Sequence, residues 1–341
     1  MKTLATFFLL IISVTASAES HIPKPDFIVA KTTVRHNENV SIIELEKLVM
    51  GSQNVGETEV NQGFLKTELA KRYQANPTAK VGYLYARVLQ REHLFNDALT
   101  VIGTILQTNP NMVNSLLLKA NMLQTKGKFD SARLTCLQLL GLASVETVST
   151  CALDAESHNG KVETSYKSLL SVVGDKPSSQ ATQHVLAEMA FRLNQPKQTL
   201  KHLANVDLKK APVSILVLWS DAQLELSNYN AVIDTISNLI SEPNNLEDAL
   251  LLRLAQAEKQ NIQSQTSKWQ ALISKRIELR EQRQDTFHAA DLALYYLTIE
   301  DNSDKALYWA TINWQQAKLE SDKTLLARAS ARFKEFKNES F

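Results

Sequence analysis

The sequence predicts an all-α solenoid of antiparallel helix pairs, on three observations. Sets of small and apolar residues recur every 33 to 34 positions over most of the chain. Leu, Ala, Gln, Lys and Glu, all good helix formers, dominate the composition. Glycine is scarce and the last one is Gly174, so the second half lacks the residue that phosphate loops and tight βα turns depend on. Units of this length cannot bury an apolar face alone and become stable by stacking on their neighbours.

The chain opens with Lys2, an apolar run from Phe7 to Ile12, and Ala16-Ser17-Ala18 before Glu19. A positive start, an apolar middle too short to span a bilayer and small residues at the cut are the parts of a secretory signal peptide. Residues 1–18 are therefore expected to be removed after Ala18, which places the protein in the periplasm or outside the cell. No cysteine follows the run for lipid attachment, and no later segment is apolar enough to act as a transmembrane anchor. Residues 19–57 read as a linker with one loosely defined helix, Ser41 to Met50. The repeat array then runs over 58–318, and a polar amphipathic helix in 319–341 covers its open end.

Two units carry the pattern most clearly. Ala86, Leu89, Phe95, Ala98, Ile102, Ile105 and Pro110 form one spaced set, and Ala120, Leu123, Phe129, Ala132, Cys136 and Leu139 repeat it 34 positions later. Helices approach closely only where small side chains meet, and an aromatic at the turn fixes the crossing. Asn76-Pro77 precedes Asn109-Pro110 by 33 residues, so Leu65, Leu69 and Tyr73 belong to an earlier second helix. A third unit runs from Val145 to Gly174 with a turn at Asn159-Gly160. A fourth has Ala187, Ala190, a turn at Asn194 to Pro196, then Leu200 and Leu203. Ser165 and Thr199 stand where these two units should carry a small apolar residue. In the fifth, Ile215 to Trp219 could be a buried strand by itself, but the register makes it helix. A sixth begins at Leu250 and has a long charged second helix whose end, Glu278 to Arg283, reads as solvated. The seventh spans Ala289 to Lys318.

This pattern resembles the tetratricopeptide repeat family, with a small residue in the first helix, an aromatic at the turn, a small residue early in the second helix and a closing proline. The resemblance implies a right-handed superhelix of about six to seven repeats. It also implies a protein or peptide partner lying along the concave face that the first helices line. Projected onto this sequence, that face presents Lys80, Tyr83, Arg87, Gln90 and Arg91, then Asn114, Leu117, Asn121 and Gln124. Later units present Asp154, His184, Glu188, Phe191, Asp221, Glu225, Asp291 and Tyr295. The face thus runs from basic to acidic, which would orient an extended segment by charge, while Asn121 and Gln124 could bond its backbone.

The same residues carry no catalytic signature. None of the seven histidines pairs with another at the spacing of metal ligands around a carboxylate on one helix face. There is no Gly-x-Ser-x-Gly elbow, phosphate loop or dinucleotide fingerprint. Acid pairs such as Asp154 and Glu156 read as solvent-facing charge. The expectation is a non-enzymatic scaffold with no cofactor and no metal. Without residues 1–18 the chain holds 36 basic and 36 acidic residues, and this balance argues against nucleic acid, which needs a basic excess. Peptidoglycan or carbohydrate binding through Tyr83, Phe191 and Tyr295 is the alternative, and self-association through an uncapped end is a third.

Cys136 lies in one second helix and Cys151 in the next first helix, so the two should face each other across the intervening turn. An even cysteine count in an exported chain then points to a disulfide.

Overall fold

The computed structural model describes residues 40–56, 62–240, 246–262, 264 and 266–339. The expected signal segment and the expected linker up to residue 39 lie outside the described residues. The chain divides into two units, Met1–Val40 and Ser41–Phe341, and all described helices belong to the second.

Seventeen α-helices and no strand occur among the described residues. The N-terminal pair is α1 Ile42–Gly51 with α2 Gln62–Ala75, followed by α3 Ala79–Arg91 with α4 Phe95–Thr108 and α5 Val113–Thr125 with α6 Phe129–Leu137. Next come α7 Val145–Glu156 with α8 Val162–Val173, α9 Gln180–Arg192 with α10 Pro196–His202, and α11 Val213–Glu225 with α12 Tyr229–Leu239. The last pairs are α13 Asp248–Gln260 with α14 Lys268–Gln282 and α15 Ala289–Thr298 with α16 Ser303–Gln316; α17 Glu320–Glu339 ends the series, packed on α15 and α16. The fold is thus the expected helical solenoid, and Ile215 to Trp219 is helical within α11.

Local chemistry sets the period. Thr78, Ser144 and Ser179 precede first helices, and each accepts from the backbone N–H three residues on, at 3.4, 3.1 and 3.2 Å. Such caps satisfy donors that the helix leaves unpaired. At the C-terminal ends of α3, α5, α7, α9 and α11 the backbone turns left-handed: φ is +56° at His93, +71° at Gly127, +80° at Gly160, +56° at Asn194 and +58° at Ser227. After four of these the next N–H reaches back five residues, Leu94 to Leu89, Lys128 to Leu123, Gln195 to Ala190 and Asn228 to Gln223, at 2.8 to 3.0 Å. That bond closes a Schellman turn and aims the second helix back along the first.

Ala86, Ala98, Ala120 and Ala132 are all buried where the pairs approach. Ser165 and Thr199 are buried at the equivalent places, and the Thr199 hydroxyl donates to the Ala187 carbonyl at 3.3 Å. Thr199 thus keeps the close approach with its hydroxyl satisfied, whereas Ser165 keeps it by size alone, its Oγ buried without a hydrogen-bond partner among the described residues.

The end of α14 departs from expectation. Arg280 is not solvated: it donates to Asp248 and to Asp285 at 2.8 and 2.7 Å, and Glu281 accepts from Lys305 and from the Trp309 indole at 3.0 and 3.2 Å. The charges that looked like surface decoration tie α14 to α13 and α16.

The solenoid also curls onto itself. Val213 N–H, at the start of α11, donates to the Gln53 carbonyl at 3.0 Å, and Gly56 N–H donates to Glu247 at 3.0 Å. Near the C-terminal end, Lys318 N–H donates to the Thr125 carbonyl at 2.8 Å. These bonds join stretches that nearest-neighbour stacking would leave apart.

Candidate functional site

Consecutive first helices from α3 to α15 touch one another and make a single surface. The curl folds this surface around a cavity of about 1020 Å³. Arg87, Gln90 and Arg91 of α3 line one wall; Asp248 of α13, Asp291 of α15 and the connecting residues Asp285 and His288 line another. Basic and acidic ends of the inner face therefore confront each other across a space instead of lying at opposite ends of an open groove. The His93 and Phe287 rings meet edge to face with centroids 5.8 Å apart, and both residues line the cavity.

The electrostatics follow from this enclosure. Burial, then the neighbouring Arg87 guanidinium, pull the Arg91 pKa below the usual arginine range, with Glu247 opposing. Burial and His288 lower that of His93. Burial raises the Asp291 carboxyl despite Arg253 beside it. For Arg253 burial works against the charge, but bidentate bonds to Asp221 at 2.8 and 3.1 Å outweigh it and hold the guanidinium charged. Arg87 differs from these, because its Nε is buried with no hydrogen-bond partner among the described residues.

The other expected inner-face residues are placed unevenly. Lys80 is paired with Glu46 at 2.6 Å on the exposed side of α1 and α3. Tyr83 is half-buried, and burial raises its phenol pKa. Gln90 Nε2 donates to Asn121 Oδ1 at 2.6 Å, which ties these two side chains to each other. Gln124 is buried, and with its amide turned so that both ends are satisfied it donates to Asp154 at 3.2 Å and accepts from Ala155 N–H at 3.0 Å. Asp221 is held by Arg253, whereas Glu225 is exposed. Tyr295 is buried against Tyr296, which removes it from any glycan-stacking platform. Cys136 and Cys151 are bonded Sγ to Sγ, with Cα atoms 5.5 Å apart, and the link joins α6 to α7.

The residue that sequence reasoning misjudged is Asp154. Its side chain is only 16% exposed, and it sits among His158 of the turn after α7 and His184, Glu188 and Arg192 of α9. Burial and then the Glu188 carboxylate push its pKa up to about 7. Burial and Arg192 push His158 down to about 3. The overlooked signal was an acid and a histidine four residues apart in two successive units, Asp154 with His158 just past the end of α7 and His184 with Glu188 within α9, a spacing that brings the two side chains of each pair together.

No family model and no curated protein matches the chain. Solved structures similar to it are tetratricopeptide repeat proteins. One is from Parabacteroides merdae, with 15% identity and a TM-score of 0.42 over 74% of this chain and 98% of that one. Another is the P58(IPK) TPR domain, with 13% identity and a TM-score of 0.29 over 87% of this chain and 99% of that one.

Proposed function

We propose that the protein is a non-catalytic scaffold of the periplasm or cell envelope that holds a protein or peptide segment at its inner face. The observation that carries this reading is Arg87, whose buried Nε has no partner among the described residues while the residue lines a cavity of about 1020 Å³. A buried donor left unmade costs about 1 to 3 kcal/mol, which a bound acceptor would recover. A short segment entering the cavity would meet the guanidinium of Arg87 on one side and carboxylates on the other. That arrangement fixes orientation by charge, which raises specificity and association rate more than raw affinity. Burial of Tyr295 weighs against the carbohydrate alternative, because stacking on a sugar needs an accessible ring.

The test is chemical cross-linking in native envelope followed by capture, comparing wild type with Arg87→Gln/Arg91→Gln, and with circular dichroism to establish that both fold. A discrete protein captured by wild type and lost from the variant is the expected result. Equal capture by both removes the inner face as the binding surface.

A further inference from the structure

The turn between α16 and α17 does more than join two helices. Its residues, Ala317 to Leu319, are non-helical, and Ala317 is extended at φ −125° and ψ 143°. From there the chain crosses the C-terminal ends of three successive first helices and meets one residue on each. Lys318 N–H donates to the carbonyl of Thr125, the last residue of α5, at 2.8 Å. Glu320 N–H donates to Nδ1 of His158, in the turn after α7, at 3.5 Å. The Glu320 carboxylate acts on the charge of Arg192, the last residue of α9. A guanidinium nitrogen of Arg192 lies 3.2 Å from the same His158 nitrogen.

Thr125, His158 and Arg192 are 33 and 34 positions apart, so they are one position of the repeat met three times. Stacking joins only neighbouring units, so a turn of the last pair has no stacking reason to reach these three, whereas an extended ligand on the inner face would touch them in just this register. Gly127 clears the path, since a Cβ there would stand 2.8 Å from Lys318 Cβ. Thr125 lines the cavity, as does Arg91 at the same position one unit earlier, so the row continues from the cavity wall. The attachment uses chemistry that another chain can supply: two contacts come from main-chain N–H groups, which any extended segment carries, and the third from one carboxylate. It is also loose. The bond to His158 is at the limit of hydrogen-bond length, and among the described residues the ion pair of Glu320 is with Lys323 of its own helix, at 3.6 Å, and not with Arg192.

We propose that Ala317 to Glu320 is an internal ligand: it occupies the row Thr125, His158 and Arg192, which is the seat for an extended, acid-bearing segment of the partner, and it holds that seat shut until the partner displaces it. The inference rests on reading the inner face as the binding surface and adds autoinhibition to it. Because the turn is tethered at both ends, it competes at an effective concentration in the millimolar range, which an incoming segment has to overcome before it is held.

The probe is the capped peptide Gln-Ala-Lys-Leu-Glu-Ser-Asp, the sequence of residues 316–322, titrated into the full-length protein and read by amide NMR shifts at Thr125, His158 and Arg192. Lys318→Pro/Glu320→Gln deletes one N–H and the carboxylate from the turn. This variant is expected to bind the peptide saturably with a midpoint in the millimolar range, and wild type, with its seat filled, at least about tenfold more weakly. The same peptide N-methylated at its lysine amide lacks the donor for Thr125 and should bind the variant at least about tenfold more weakly than the parent peptide. No binding to the variant, equal binding to variant and wild type, or equal binding of the two peptides overturns the proposal. Circular dichroism establishes that the variant folds; if it does not, insertion of Gly-Gly after Ala317, which lets the turn swing away with α16 and α17 unchanged, is scored by the same three criteria. Failure here is separable from failure of the scaffold reading, since peptide binding is scored at Thr125, His158 and Arg192 and partner capture through Arg87 and Arg91.

Discussion

At the residue scale, the repeat is written in backbone dihedrals more regularly than in side chains. The left-handed residues His93, Gly127, Gly160, Asn194 and Ser227 follow one another at intervals of 34, 33, 34 and 33, yet only two are glycine. An L-residue in this region costs about 1 to 2 kcal/mol, partly offset by the extra chain entropy a glycine would lose on folding. Ser227 uses its hydroxyl only to accept from Tyr229 at 3.2 Å on the surface. Ser227→Gly is therefore expected to stabilise by about 0.5 to 1 kcal/mol. Gly127→Ala should do the reverse and by more, because a Cβ there would stand 2.8 Å from Lys318 Cβ in addition to the strain of φ +71°. Urea unfolding midpoints compare the two; a destabilised Ser227→Gly or an unaffected Gly127→Ala would refute this account of the turns.

At the element scale, α6 is only nine residues long and stands beside an exposed aliphatic turn, with Leu140 at 65% and Val145 at 73% exposure. It buries little apolar surface beyond Ala132, Cys136 and the adjoining Leu139, so its position depends on the bond to α7. Closing a loop of this length contributes about 3 kcal/mol in the chain-entropy model. The double variant Cys136→Ser/Cys151→Ser should lose about that much by urea unfolding, with faster amide exchange concentrated in α6 and the turn after it, and added reductant should leave the variant unchanged. Elements of this kind were legible in the sequence because helix pairs are local: caps, small residues and turns fall within one period, and Cys136 and Cys151 face across a single connection. What was not legible depends on residues several units away. Asp154 resembles any surface acid until Glu188 and Arg192 are placed beside it, Arg280 resembles a solvated end until Asp248 is, and Tyr295 is hidden by Tyr296 and the core of the last pairs. The direction of the inner face could be projected, whereas the pairing of Gln90 with Asn121 and of Asp221 with Arg253, which takes up three of its residues, could not.

At the scale of the whole molecule, a solenoid held only by nearest-neighbour stacking has no reason to curl shut, and its ends are free to spread. Here closure is set by a few contacts between distant stretches: Val213 with Gln53, Gly56 with Glu247, and Lys318 with Thr125. Opposed charge across the cavity adds attraction, since Arg91 feels Glu247 from beyond its own unit. Because each helix pair keeps its neighbours when these contacts break, closure should be separable from folding. Lys318 is the place to separate them. The residue before it, Ala317, is extended at φ −125° and ψ 143°, which tolerates a following proline, and proline would delete the N–H that Thr125 accepts. In Lys318→Pro, circular dichroism should keep the wild-type helix signal while the radius of gyration from X-ray scattering rises and amide exchange quickens at the turn around Gly127. Lys318→Ala, which retains the N–H, should behave as wild type in all three. If the proline variant scatters like wild type, the backbone bond is incidental and the curl is fixed by stacking geometry alone; if it loses helix signal, closure and folding are one event, and the inner face cannot open to admit a partner without local unfolding.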